Sequence, residues 1–258
     1  MESKKSGSGP LIVLLLVIIV ILGGFIYMKR EALQSQQENK NPGEAEIVSN
    51  DQPVELSTTE LEYYINEISP ISIGPSALIY NTDRVIAKEL SARQKIEYIA
   101  SRIYEKHTTS ENGDDVIKEE DVKKEVEEVY GPSTYERGVF NLGCGDYNFN
   151  VEDSSYYSVP GCGGATTFVV KNELIDYSAS KTKLEITTAY VFYDATENKI
   201  YKDYEKTTPL EEYQGEEEVY SYLSKYIKEH KENLNHIVYK YESQDGAHYY
   251  FREFIHNK

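Results

Sequence analysis

Hydrophobic and polar positions divide the chain into three stretches. Residues 11–28, LIVLLLVIIVILGGFIYM, form a run of 18 positions without a charge. As an α-helix such a run spans roughly 27 Å, close to the hydrocarbon thickness of a bilayer. Helices of a globular core are apolar on one stripe only, so an all-round apolar run predicts a transmembrane helix. Lys4 and Lys5 precede it, Lys29 and Arg30 follow it, and Tyr27 stands at its end. A cleaved signal peptide has a shorter apolar core followed by small residues; this run continues into Tyr-Met-Lys-Arg, which predicts an uncleaved signal anchor. Basic residues are balanced across it, so orientation rests on size: residues 1–10 predict a short cytoplasmic tail, and everything beyond the helix an extracytoplasmic portion. Residues 29–54 are rich in Gln, Glu, Asn and Pro and predict a flexible polar stalk.

From residue 55 onward the apolar positions become periodic. Ser57-Thr-Thr-Glu60 fits a capping box, in which serine and glutamate satisfy each other's backbone amides. Leu61, Tyr64, Ile65 and Ile68 then share one helical face. Ser91-Ala-Arg-Gln94 is a second box, ahead of Ile96, Ile99, Ala100 and Ile103 at helical spacing. Glu119–Tyr130 carries Val122, Val126 and Val129 on one stripe and stops at Gly131-Pro132. Residues 216–231 open with three glutamates and close on Lys228, His230 and Lys231, the order a helix dipole favours.

The period then shortens to two. Leu184, Ile186, Thr188, Tyr190 and Phe192 alternate with Glu185, Thr187 and Ala189. Residues 167–177 and 199–204 predict strands on either side of it, and 237–242 with 247–255 predict a closing hairpin around Ser-Gln-Asp-Gly. Strands that follow one another without crossover helices pair antiparallel. The expectation is an α+β fold: an N-terminal transmembrane helix, then, over residues 55–258, helices packed on a curved antiparallel β-sheet.

Charge narrows the partners. The formal net charge is −17, and Lys4, Lys5, Lys29 and Arg30 flank the apolar run, so the domain beyond it is more acidic still. Such a surface repels nucleic acid and anionic headgroups; a basic protein or a divalent cation is the easier partner. Tyrosine is abundant, at 24, and tryptophan absent. Tyr156, Tyr157, Tyr190, Tyr193, Tyr201, Tyr204, Tyr239, Tyr241, Tyr249 and Tyr250 fall mostly on predicted strands. Half-buried strands select tyrosine for packing, which is the leading reading; a sugar- or peptide-binding face is the functional one.

Two cysteines carry the strongest local signal. If residues 145–150 pair with 156–161 around a turn at Glu152-Asp153, Cys144 and Cys162 face each other at the base of a hairpin. In an oxidising compartment that predicts a disulfide, worth roughly 3 kcal/mol in the chain-entropy model. The rival is a Cys162 nucleophile among glycine amides, with His236, His248 or His256 as base, but no spacing selects one histidine. Two cysteines with scattered histidines make a poor zinc site. Ser110, Asn112, Asp114 and Asp121 fall at EF-hand loop positions, yet Asp115 stands where glycine is needed and Asp121 where glutamate is expected. The favoured reading there is a polar loop with Ile117 tucked inward ahead of a helix. No phosphate-binding, dinucleotide-binding, zinc-protease or nucleophile-elbow motif is present.

One resemblance adds to this. The helix ending in Val129-Tyr-Gly131, then Cys144, a tyrosine-bearing segment, Gly161-Cys-Gly-Gly164 and strands ending in Tyr249-Tyr-Phe251 resemble a group of uncharacterised membrane-anchored extracytoplasmic proteins of low-GC Gram-positive and mollicute-related bacteria. The likeness covers about residues 115–255. It implies location and fold, and the group carries no assigned activity. The expected protein is a non-catalytic, membrane-tethered extracytoplasmic binding or interaction module. It meets the lipid bilayer through residues 11–28, takes an envelope protein or glycan as ligand, and needs no cofactor, metal or nucleic acid. The alternative is a cell-envelope enzyme with a Cys162 nucleophile.

Overall fold

The computed structural model describes residues 52–68, 79–80, 82–143, 145–158, 168–215 and 217–257. The expected anchor at 11–28, most of the stalk, and both Cys144 and Cys162 lie outside the described residues. Among the described residues, no helix is long and apolar enough to cross a membrane.

Both capping boxes form. Ser57 Oγ accepts from the Glu60 amide while Glu60 accepts from the Ser57 amide, opening helix α1, Thr58–Glu67. Ser91 and Gln94 do the same for α2, Ala92–Tyr98. The single helix expected through Ile103 breaks at Ile99, which leaves helical geometry at φ −113°, ψ 26°, before α3, Ala100–Tyr104. Ile96, Ile99, Ala100 and Ile103 are all buried nonetheless, so packing keeps the apolar stripe while the backbone turns. Helix α4 spans Glu119–Tyr130, with Val122, Val126 and Val129 inward and Gly131 at φ 106° as its stop. Helix α5, Val219–His230, starts later than expected: Glu218 is its N-cap, accepting from the Tyr220 and Ser221 amides.

All described strands pair antiparallel, but they form two sheets rather than one. The smaller is ordered β2 (Thr108–Thr109), β3 (Asp115–Lys118), β6 (Ser155–Ser158), β5 (Asp146–Asn150), β4 (Phe140–Asn141). Its β5–β6 hairpin turns at residues 151–154, with Phe149 opposite Tyr156 and Asn150 opposite Ser155, one residue out from the expected register. Strands β2, β3 and β4 were not legible, being two to four residues long.

The larger sheet is built on β8, Lys183–Asp194. One edge of β8 pairs along its length with β7, Phe168–Ala179. The other edge pairs first with β11, Asn235–Glu242, and then with β9, Lys199–Tyr201. Strand β10, Pro209–Glu212, extends from β9, while β12, Tyr250–Asn257, and β1, Arg84–Ile86, extend from β11.

The alternation along β8 sorts its side chains between two cores. Leu184, Ile186, Tyr190 and Phe192 join the main core with α1–α4 and the small sheet. Ala189, Val191 and Tyr193 face the opposite way, into a second core with Leu223, Tyr226 and Ile227 of α5. A sheet covered on both faces explains why β8 is buried at nearly every position. Eight of the twelve largest fully buried side chains are tyrosine or phenylalanine, including Tyr156, Tyr190, Tyr239 and Tyr241. Each such ring contributes about 1.5–3 kcal/mol of transfer free energy.

Candidate functional site: a cation-lined cavity at the end of α4

The sequence candidates distribute unevenly. The tyrosines singled out on strands are mainly core: Tyr156, Tyr190, Tyr193, Tyr201, Tyr239, Tyr241 and Tyr249 are buried. Their packing, not a ligand face, accounts for them. Tyr157, Tyr204 and Tyr250 are half-buried, and of these Tyr250 lies beside a cavity. The histidines do not converge. His248 Nε2 meets the Glu128 carbonyl at 2.9 Å, His236 Nε2 meets the Lys231 carbonyl at 2.8 Å, and His256 packs against Tyr190, Tyr80 and Phe254. The EF-hand-like segment folds as a hairpin: Asp114 donates its amide to Ser110 Oγ, Ile117 is fully buried in β3, and Asp121 lies in the first turn of α4. Among the described residues no three His, Cys, Asp or Glu side chains gather to hold a metal.

Two polar regions remain, and both use α4. The first is a charge clasp. Arg102 of α3 contacts Glu125 at 2.7 Å and lies 3.7 Å from both Glu67 and Glu128; Lys106 reaches Glu125 at 3.2 Å. Tyr63 donates to Glu128 at 2.7 Å, and the Arg102 guanidinium lies 5.4 Å from the Tyr63 ring centre. Glu67 is fully buried, and among the described residues neither carboxylate oxygen has a hydrogen-bond partner at normal geometry, with Tyr63 and Arg102 as its nearest donors. Burial pushes its pKa well above the usual carboxylate range, with Glu128 and Glu125 adding to the shift and Arg102 opposing it. The sequence reading placed Leu61, Tyr64, Ile65 and Ile68 on the inner face of α1 and passed over Glu67, three residues after Tyr64. The buried acid joins α1, α3 and α4, and beside it Tyr63, Arg102, Lys106, Glu125 and Glu128 line an open cavity of about 710 Å³ whose Arg102 and Lys106 are already paired with acids.

The second region is a cavity of about 390 Å³ lined by Lys88, Lys95, Tyr130, Gly131, Tyr250 and Arg252, among others. The end of α4 builds it. A helix C-terminus leaves carbonyls without intrahelical partners, and cations near it complement the dipole. Arg252 Nη1 donates to the Tyr130 carbonyl at 3.0 Å, Lys95 Nζ donates to the Thr134 carbonyl at 3.1 Å, and the Tyr130 hydroxyl donates to the Lys95 carbonyl at 3.0 Å. Gly131, in the left-handed region, lets the backbone run beside Tyr250; an added Cβ would touch that ring at 3.7 Å. Tyr250 is flanked by His248, with ring centres 4.8 Å apart, and by the Arg252 guanidinium 5.8 Å from its centroid.

The cations of this cavity differ in how they are engaged. Arg252 Nε also reaches Glu242 at 3.3 Å. Lys95 is held by a carbonyl. Lys88 is exposed and, among the described residues, makes no ion pair or hydrogen bond. Among the described residues, none that lines the cavity is an acid. The sequence offered one hint of the place, the Gly131-Pro132 stop; the three cations come from positions 88, 95 and 252, joined by the β1–β12 pairing.

No family model, curated protein or solved structure matches this chain.

Proposed function

We propose that the protein is a membrane-tethered, extracytoplasmic, non-catalytic binding module, anchored through residues 11–28 and meeting its ligand at the cavity beside the end of α4. The observation that carries this reading is the cavity itself: an aromatic wall and three cations without an acid in the lining, in a chain of net charge −17. Binding sites typically join apolar surface to a few converging polar groups, and this cavity has both. The engagement of the histidines in separate packing and carbonyl contacts supports binding over histidine-assisted nucleophilic chemistry. The uncharged run at 11–28 supports tethering, and the expected Cys144–Cys162 disulfide accords with an oxidising compartment.

A photo-crosslinking amino acid at Lys88 of the full-length protein in intact cells tests the reading, with Tyr220, exposed on α5, as the control position. Capture of a discrete envelope component from position 88 and not from 220 is the expected result. Equal capture at both sites, or none at either, contradicts it. Alkylation under native, non-reducing conditions tests the rival: a readily modified Cys162 supports the enzyme, and two protected cysteines support the module.

A further inference from the structure

We infer that the cavity beside the end of α4 is a phosphate-binding site that takes a phosphorylated polyol or sugar; this rests on the binding-module reading above and names its ligand class. Lys88, Lys95 and Arg252 bring three positive charges to one cavity of about 390 Å³, and the lining includes no carboxylate. Glu242 engages Arg252 through Nε, and among the described residues Nη2 of the guanidinium makes no ion pair or hydrogen bond. Lys88 likewise makes no ion pair or hydrogen bond among the described residues. Two cations in the cavity therefore keep donors for an incoming group, while the bonds of Lys95 and Arg252 to backbone carbonyls hold those two in place.

Charge and shape both select the ligand. The surrounding chain is acidic, so a basic or neutral partner gains nothing from this particular cavity, whereas a compact anion meets the cations where the overall repulsion is locally reversed. Lysine offers a point charge suited to phosphate, and arginine a directional donor. The volume admits more than a bare ion. The half-buried ring of Tyr250, edged by His248, gives the cavity an apolar wall against which the carbon skeleton of a sugar or polyol packs. A short peptide carboxylate would also meet the cations but would leave the ring face unused.

Two sources share this chemistry: a lipid headgroup and a phosphate-bearing polyol polymer or its soluble fragment. Isothermal titration of the full-length protein separates them, with glycerol 3-phosphate as probe and nanodiscs of neutral or phosphatidylglycerol-containing lipid. Binding in neutral discs is expected, weakened about tenfold or more by Lys88→Gln and by Arg252→Gln and weakened again by added salt. Lys88 is exposed and has no polar partner among the described residues, so its variant keeps the test independent of folding. Loss of probe binding in phosphatidylglycerol discs assigns the site to headgroups; retention assigns it to the soluble source. Phosphate binding unchanged in both variants overturns the inference. Binding of N-acetylglucosamine in place of phosphate, insensitive to Lys88→Gln, overturns it while leaving the binding module intact. Silence from every probe, together with no crosslink from position 88, overturns both.

Discussion

The clasp around Arg102 and the cavity around Arg252 share helix α4 and draw on the same residue types, yet they use charge in opposite ways. In the clasp, Arg102 faces Glu125, Glu128 and Glu67, and Lys106 faces Glu125. In the cavity, Arg252 bonds to the carbonyl of Tyr130 at the end of the helix, Lys95 to that of Thr134 in the loop beyond it, and Lys88 bonds to nothing among the described residues. Charges that face one another across packed helices are committed to the fold. Both regions border open cavities, and what differs is the lining: acids stand among the cations of the clasp, and none is found among the described residues lining the other. A net charge of −17 reveals neither arrangement, because it averages over both.

Removing Arg102 should separate the two regions most sharply. Arg102→Ala removes the cation nearest Glu67 and leaves the buried Glu125 with Lys106 alone, and breaking a buried pair in this way costs about 3 kcal/mol. Denaturant unfolding of the full-length protein measures it. A loss under about 1 kcal/mol would mean the clasp is peripheral to the fold.

Glu67 sharpens the comparison through pH. Its folded pKa is raised from 4.5 by burial, so the folded state holds the proton more tightly than the unfolded chain does. Unfolding therefore releases a proton above pH 4.5, and this group's contribution to stability falls as pH rises through its folded pKa. Glu67→Gln removes that dependence. The variant should gain on the wild type by about 1 kcal/mol or more near neutrality and lose the advantage toward pH 4. Parallel stability curves across that window would place Glu67 in a charged, fully compensated state instead.

Gly131→Ala gives a smaller effect on the cavity side. A side chain at φ 106° is strained, and its Cβ would meet the Tyr250 ring at 3.7 Å. A loss of about 1 kcal/mol is expected by thermal melting. Lys88→Gln should have the smallest effect, within about 0.5 kcal/mol in stability, because the side chain is exposed and unpaired. A larger loss would show that Lys88 belongs to the fold as Arg102 does.

The sequence disclosed the parts of this fold whose signals are local. Both capping boxes, the extent of Glu119–Tyr130 and the alternation along β8 follow from neighbours within one or two turns, and all appear as expected. The break at Ile99 did not show, because Ile96, Ile99, Ala100 and Ile103 keep helical spacing across it. Strands β1, β2 and β10 are too short for a period to declare itself, and their partners decide them. The cavity was less legible still. Lys88, Lys95 and Arg252 look like ordinary surface cations until β1 pairs with β12 and the end of α4 arrives beside them. The acidic composition pointed toward a basic protein or a divalent cation, and an averaged charge carries no information about a local cluster of cations such as this cavity's.

The claim that cavity charges are held for a ligand is tested most directly by linkage between binding and melting. Full-length protein in neutral-lipid nanodiscs would be melted with and without glycerol 3-phosphate at matched ionic strength, as wild type and as Lys88→Gln. A ligand that binds only the folded state raises Tm, by an amount set by its concentration over Kd. The account predicts a rise for the wild type that is largely lost in Lys88→Gln, with the two melting alike when no phosphate is present. No rise in the wild type, or an equal rise in both proteins, would contradict it.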